Sequence, residues 1–241
     1  MMNMKKIKIV HLYYDLMNLY GENGNIRYLK RKLEEQDFDV SVSFQSIDDA
    51  IDYTKGDFYY IGTGSEENKK IVLEHIIKDK DKINKAIDDN KYFLVTGNAL
   101  DLFGKKINTE DDEIEGLGIF DYEVNEEDLR VVGEQYYESK LIKEKIVGFQ
   151  NRNSILMNNG ANTLFKVIKG TGNKPNDLEE GILEKNFFGT YLLGPILVRN
   201  PYFTEYIVKK ICKDFNVKYK KIDKDVSYKA YQEYLNNFYN E

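Results

Sequence analysis

Two short loops hold the residues best spaced for chemistry. Thr96-Gly97-Asn98-Ala99 follows the apolar run Tyr92-Phe93-Leu94-Val95 and leads at once into Leu100-Asp101-Leu102-Phe103-Gly104. A strand that turns tightly into a helix makes an elbow, which lifts one side chain above the sheet edge as in hydrolases that carry a nucleophile there. Backbone N–H groups at the helix start can then stabilise an oxyanion. Parallel sheets contain the same turn for structural reasons, so the shape alone leaves both readings open. Gly62-Thr63-Gly64-Ser65, after Asp57-Phe58-Tyr59-Tyr60-Ile61, is the second loop. Its glycines permit close backbone approach to a ligand such as an anion, or simply a plain turn. It lacks P-loop spacing and a following Gly-Lys-Ser/Thr, so it is not read as a nucleotide site.

Other reactive side chains are few. The single cysteine, Cys212, lies in a helical pattern between Ile211 and Lys213 and reads as a small core hydrophobe. The two histidines, His11 and His75, are far apart in sequence, each in an apolar setting, and read as packed or surface residues. No metal site and no cofactor is expected.

The elements that must position these loops alternate. Ile7 to Tyr13 reads as a buried strand running into the loop Asp15 to Gly21, and a helix follows with Ile26, Leu29 and Leu33 on one face. Val40, Val42 and Phe44 alternate as a short strand. Glu67 to Asn90 suits one or two surface helices. This order predicts an α/β fold with a mostly parallel sheet flanked by helices, whose ligands sit beside the carboxyl ends of the strands. The second half differs. Arg130 to Gly133, Ile146 to Phe149, Leu164 to Ile168 and Asn186 to Leu192 are short β-like runs between turns, expected as added antiparallel strands. Tyr202 to Phe215 and Tyr228 to Tyr239 have helical character. With no repeat or low-complexity linker, one domain over 1–241 is expected.

Bulk composition narrows the function class. The chain has 241 residues, 41% of them hydrophobic, enough for a core of ordinary size. A net charge of -6, with lysines and acids interspersed, argues against a dedicated nucleic-acid binder, which needs Lys and Arg for phosphate neutralisation. One cysteine permits no intramolecular disulfide. There is no signal-like h-region and no apolar run of membrane-spanning length, so no membrane span is expected and the cytoplasm is the default compartment.

Four separated segments carry a resemblance. They are Asp15-Leu16-Met17-Asn18-Leu19-Tyr20-Gly21-Glu22-Asn23-Gly24-Asn25, Gly97 to Gly104, Gly148-Phe149-Gln150-Asn151-Arg152, and Gly189-Thr190-Tyr191-Leu192-Leu193-Gly194-Pro195-Ile196-Leu197 followed by Asn200-Pro201. In this order they resemble class I glutamine amidotransferases of the cobyric acid synthase type, over about residues 8 to 210. The nearest pattern is that of glutaminase subunits of lipid II isoglutaminyl synthase, which partner a Mur-ligase-like subunit. The resemblance implies a flavodoxin-like amidotransferase fold, with 222–241 as a C-terminal extension beyond it.

The family's chemistry pairs an elbow cysteine, which attacks the glutamine amide, with a histidine of the last motif that moves the protons. Here Gly97 stands where the cysteine belongs and Leu193 where the histidine belongs. Loss of a hydrolase nucleophile typically costs roughly a million-fold in turnover. The resemblance further places Arg130 as the arginine for a glutamine-like carboxylate, which a guanidinium binds bidentately. It also places Gly62 and Gly64 in the oxyanion loop (Gly-Thr-Gly-Ser for the family's Gly-Gly-Gly-Gln), Asn98 at the elbow, and Asp15 in a loop facing the site or a partner. Gln150 and Arg152, for the family's Glu and His, point to a remodelled pocket. The expectation is a pseudo-enzyme that binds a partner or a ligand. The alternative is an active subunit supplying ammonia to a Mur-ligase-like partner, using Thr96, or Asp101 in some other role.

Overall fold

The computed structural model describes residues 4–157, 160 and 162–239. Its first half is the alternation the hydrophobic pattern predicts. Strand β1 (Lys5–Leu12) leads through the long loop into helix α1 (Asn23–Glu34), which buries Ile26, Leu29 and Leu33 against the sheet. Strands β2 (Phe38–Gln45) and β3 (Phe58–Ile61) follow. Ser65 then caps helix α2 (Glu66–Ile76), its hydroxyl accepting the Asn68 N–H at 3.1 Å. Helix α3 (Lys80–Asp88) returns the chain to β4 (Tyr92–Thr96), all five residues of which are buried. The turn after β4 enters a 3-10 helix, Gly97–Phe103, in place of a regular α-helix.

The middle of the chain forms a second sheet from β5 (Lys106–Asn108), β6 (Glu113–Glu115), β7 (Glu123–Glu138), β8 (Ile146–Met157), β9 (Phe165–Lys169) and β10 (Glu179–Glu180). Its pairs are antiparallel except β5 with β7. The register between β7 and β8 shifts between Glu126 and Val131, an irregularity that contains Arg130.

One expectation is corrected here. The run Asn186 to Leu192 is not an added antiparallel strand. After β11 (Ile182–Glu184) it forms β12 (Phe187–Thr190), which returns to the first sheet parallel to β4. The sheet order is β11-β12-β4-β3-β1-β2. Phe187 and Phe188 are both fully buried, as a strand covered on two faces requires, and this uniform burial hides its parallel partner from local reading.

Helices α4 (Ile196–Arg199), α5 (Pro201–Asp214) and α6 (Val226–Phe238) finish the chain. Helix α6 is tied down at several points. Ser227 Oγ pairs with Tyr28 OH at 2.5 Å, Tyr231 OH donates to the Lys145 carbonyl at 2.7 Å, and Tyr239 stacks on Tyr136 at 4.1 Å. Cys212 packs in the α1–α5 core, where burial pushes its thiol up to about 11. His11 is also fully buried, among Tyr14, Phe44 and Tyr60, and burial pushes its imidazole down to about 4.

Candidate functional site

The four sequence segments converge at the carboxyl ends of β1, β3, β4 and β12. The first is held by long-range bonds to the Gly62–Ser65 loop and to the fourth. Leu19 N–H donates to the Thr63 carbonyl at 3.0 Å, and Asn25 Oδ1 accepts the Leu197 N–H at 2.9 Å. The third and fourth meet where the Leu193 N–H donates to the Phe149 carbonyl at 2.8 Å.

Gly97 sits at the elbow with φ +62°, the left-handed conformation that a tight strand-to-helix turn imposes and glycine accepts without strain. A Cβ built there would lie 2.6 Å from Leu193 Cδ2, 2.6 Å from Thr63 Oγ1, and closer still to Thr63 Cβ. The two positions that the resemblance assigns to nucleophile and base are therefore neighbours, and Leu193 and Thr63 occupy the space a Cβ at position 97 would need.

The Asn98 and Gly64 N–H groups, which lie where the resemblance expects an oxyanion loop, are both engaged within the protein. Asn98 N–H donates to Thr63 Oγ1 at 3.3 Å. Gly64 N–H donates to Asn98 Oδ1 at 3.0 Å, and Asn98 Nδ2 returns a bond to the Gly64 carbonyl at 2.8 Å. The Thr63 hydroxyl donates to the same Asn98 Oδ1 at 2.8 Å. Gly62 and Gly64 admit the protein's own chain: a Cβ would lie 2.6 Å from the Met17 carbonyl oxygen at Gly62 and 2.8 Å from that of Leu16 at Gly64.

Beneath the elbow lies a carboxyl group that sequence reading did not single out. Glu22 is fully buried; it accepts Thr96 Oγ1 at 2.6 Å and the Gly194 N–H at 3.2 Å, and Tyr60 OH also donates to it. Burial holds this carboxyl above its usual range, against the pull of Thr96, Tyr60 and Gly194. Its only sequence signal was membership of the first motif. Thr96, fully buried, directs its hydroxyl to Glu22.

Arg130 lies at the mouth. Its Nη1 donates to Glu66 Oε1 at 2.9 Å and its Nε to Asn151 Oδ1 at 3.1 Å, while Asn151 Nδ2 donates to Tyr20 OH at 2.8 Å. Glu66 directly follows the Gly62–Ser65 loop, so the guanidinium already holds a carboxylate of the chain. Asp15 is further out. Its Oδ1 accepts Ser46 Oγ at 2.5 Å and the Leu16 N–H at 3.1 Å, bracing the β1–α1 loop against the end of β2.

Gln150 and Arg152 face the opposite side of β8 from Asn151. Arg152 donates to Gln150 Oε1 at 3.1 Å and to the Gly172 carbonyl at 2.5 Å, and its guanidinium stacks 4.0 Å over the Tyr191 ring. The Tyr191 hydroxyl donates to Asp101 at 3.0 Å, and Asp101 pairs with the buried Lys69 at 2.7 Å, which also reaches Glu126 at 2.7 Å. A buried polar network thus braces the elbow helix against α2 and the second sheet. Among the described residues no cluster of His, Cys, Asp and Glu could hold a metal ion.

Residues 8–201 match the model of the CobB/CobQ-like glutamine amidotransferase domain. The chain belongs to this family. Two relatives are similar over nearly the whole chain. One is the lipid II isoglutaminyl synthase (glutamine-hydrolyzing) subunit GatD of Staphylococcus aureus, 33% identical over 232 residues, or 95% of each chain. The other is the GatD subunit of Streptococcus pneumoniae, 30% identical over 233 residues, covering 95% of this chain and 87% of the relative. Among solved structures, the glutaminase domain of Trypanosoma brucei CTPS with bound acivicin superposes with a TM-score of 0.54 at 9% identity, covering 92% of this chain and 98% of that one. A glutamine amidotransferase superposes with a TM-score of 0.53 at 16% identity, covering 83% and 97%. At such identities the likeness concerns the fold, and it is the amidotransferase fold the sequence pattern implied.

Proposed function

We propose that this CobB/CobQ-like protein is an amidotransferase-fold subunit without glutaminase activity, retained for binding a partner or ligand in chemistry related to lipid II amidation. One observation carries the reading: Leu193 and Thr63 fill the space a thiolate at position 97 would need. Neither Gly97 nor Leu193 offers an atom to attack an amide or move a proton. The oxyanion donors are engaged by Asn98 and Thr63. No small side-chain rotation returns those functions.

The curated relatives are subunits by name, and we carry that to this chain as a partner of Mur-ligase-like type in the cytoplasm. The rim around Arg130 supports such docking, since Leu19 and Val132 are 57% and 60% exposed there. Among the described residues no helix is long and apolar enough to cross a membrane. A glutamine-like carboxylate would compete with Glu66 for Arg130.

A second reading, an active ammonia-supplying subunit, is favoured by the 33% identity to a relative named as glutamine-hydrolyzing. It requires Thr96 or Asp101 to act; Thr96 is buried and bonded to Glu22, and Asp101 is buried and paired with Lys69. Glutamate release from glutamine decides between the two, measured for the purified protein alone and with its ligase-like partner. No release above the protein-free rate is expected in either sample. Release that disappears on Thr96→Ala would establish the active subunit instead.

A further inference from the structure

Lys69 on α2 stands between two carboxyl groups. Its Nζ lies 2.7 Å from Asp101 Oδ2 on the elbow helix and 2.7 Å from Glu126 Oε1 on β7. The Lys69 and Asp101 side chains are 2% and 0% exposed, so water is shut out where they touch. The other buried lysine, Lys32, differs here, because its partners Glu35 and Asp225 are both partly open to solvent.

Four groups at this point supply the parts of an amide condensation. Lys69 is the amine and Asp101 the acyl carbon, and their contact brings the nitrogen near the range of about 3–3.5 Å that a near-attack conformer occupies. Tyr191 OH donates to the other oxygen, Asp101 Oδ1, at 3.0 Å, where negative charge develops when a nucleophile adds to the carbon. Burial raises the Tyr191 hydroxyl well above its usual range, so it stays a donor. Glu126 touches the same lysine nitrogen and is placed to carry a proton. Burial works against the Lys69 ammonium, while Asp101 and Glu126 hold it charged, so the ion pair is the resting state. Passing one proton from Lys69 to Asp101 gives an amine beside a carboxylic acid, both in the uncharged form that burial favours.

We propose that Lys69 and Asp101 condense to an intramolecular amide bond, with Glu126 as the proton carrier. The uncharged Lys69 nitrogen adds to Asp101 Cγ and forms the C–N bond, while Tyr191 OH stabilises the charge on Oδ1. Glu126 takes a proton from the nitrogen and returns it to the Oδ2 hydroxyl. The Cγ–Oδ2 bond then breaks and water leaves. Ammonium and carboxylate become amide and water, Glu126 ends as it began, and no oxidant or reductant enters. The bond joins residues 32 apart in sequence, a cross-link that restricts the unfolded chain and staples α2 to the elbow helix. It uses neither Gly97 nor Leu193, so the inference stands apart from the loss of glutaminase activity.

Mass spectrometry of the full chain tests this. The intact protein is expected to be lighter than its sequence by one water, with the linked fraction growing during incubation after purification. A tryptic digest should contain the peptide carrying Lys69 joined to the one carrying Asp101. Lys69→Arg keeps the cation but has no nucleophilic amine, and should show the full sequence mass. Glu126→Gln should slow the growth of the linked fraction by about a hundredfold or more, the loss of a proton carrier. Asp101→Asn should release ammonia in place of water and be lighter than its own sequence by that amount. Melting curves confirm that each variant folds. A folded, unmodified protein that keeps its full sequence mass after prolonged incubation would overturn the proposal. So would a water loss that persists in Lys69→Arg, or one without the joined peptide, since either would place the dehydration elsewhere.

Discussion

Asn98 closes its side-chain amide on the backbone of Gly64, accepting the N–H at 3.0 Å and donating to the carbonyl at 2.8 Å. Thr63 joins the same carbonyl oxygen of Asn98, so the elbow and the Gly62–Ser65 loop are locked together. Asn98→Ala strips partners from Gly64 and Thr63 in a buried place. It is expected to destabilise the fold by about 1–3 kcal/mol in equilibrium urea unfolding. It should leave glutamate release at the protein-free rate, because a freed oxyanion donor has no tetrahedral intermediate to serve.

Restoring the nucleophile alone is expected to fail. The Cβ of Gly97→Cys would meet Leu193 Cδ2 and Thr63 Oγ1, each 2.6 Å away, on a backbone with φ +62°. Overpacking of this kind costs about 1–3 kcal/mol, visible as a lowered unfolding midpoint. The triple variant Gly97→Cys, Thr63→Gly, Leu193→His relieves both contacts and should recover part of that loss. Any glutaminase activity should appear only in the triple variant. A single Gly97→Cys variant as stable as the unmodified protein would show that the site is not filled as described.

The buried Lys69 holds two carboxylates, Asp101 and Glu126, at 2.7 Å each. Their attraction keeps its ammonium charged despite the cost of burial, which on its own would lower the pKa. Lys69→Ala leaves Asp101 buried without its counter-charge, and removal of one partner from such a group costs about 3–5 kcal/mol. Lys69→Ala with Asp101→Leu should be less destabilised than Lys69→Ala alone. A double variant that loses the sum of the single losses would mean the two residues are not coupled.

Glu180 supplies the pH dependence. Burial pushes its carboxyl up to about 7, against the pull of the Tyr191 N–H, the Thr190 hydroxyl and Arg152. Between the ordinary carboxyl value and about 7 the folded protein holds more protons than the unfolded chain. Its stability contribution is therefore present at low pH and is lost as pH rises through that window. His11, lowered to about 4 by burial, acts in the opposite sense and adds stability as pH rises from about 4 toward 6.5. Glu180→Gln removes the first contribution only. The stability difference between this variant and the unmodified protein should shift in favour of the variant by roughly 3 kcal/mol from pH 4 to pH 8. A difference that stays flat over that range would show that Glu180 titrates normally.

Local pattern carried much of this protein. The strands β1 to β4, the helical face of Ile26, Leu29 and Leu33, and the four motifs in family order are all legible, because periodicity and short motifs are properties of neighbouring residues. That Gly97 carries no thiol and Leu193 no imidazole is a fact of covalent structure that no fold can change. Tertiary structure decided what fills the gap. Thr63 and Leu193 are 130 residues apart, and only the placement of β3 and β12 on either side of β4 brings both against Gly97. Uniform burial of Phe187 and Phe188 gave no alternation from which that placement could be read. Glu22 looked like one more polar loop residue until β3 and β4 brought Tyr60 and Thr96 onto its carboxyl. Arg130 and Glu66 meet across 64 residues in the same way. Partners of this kind are chosen by long-range packing, where the energy of a contact depends on burial and geometry that no window of sequence contains.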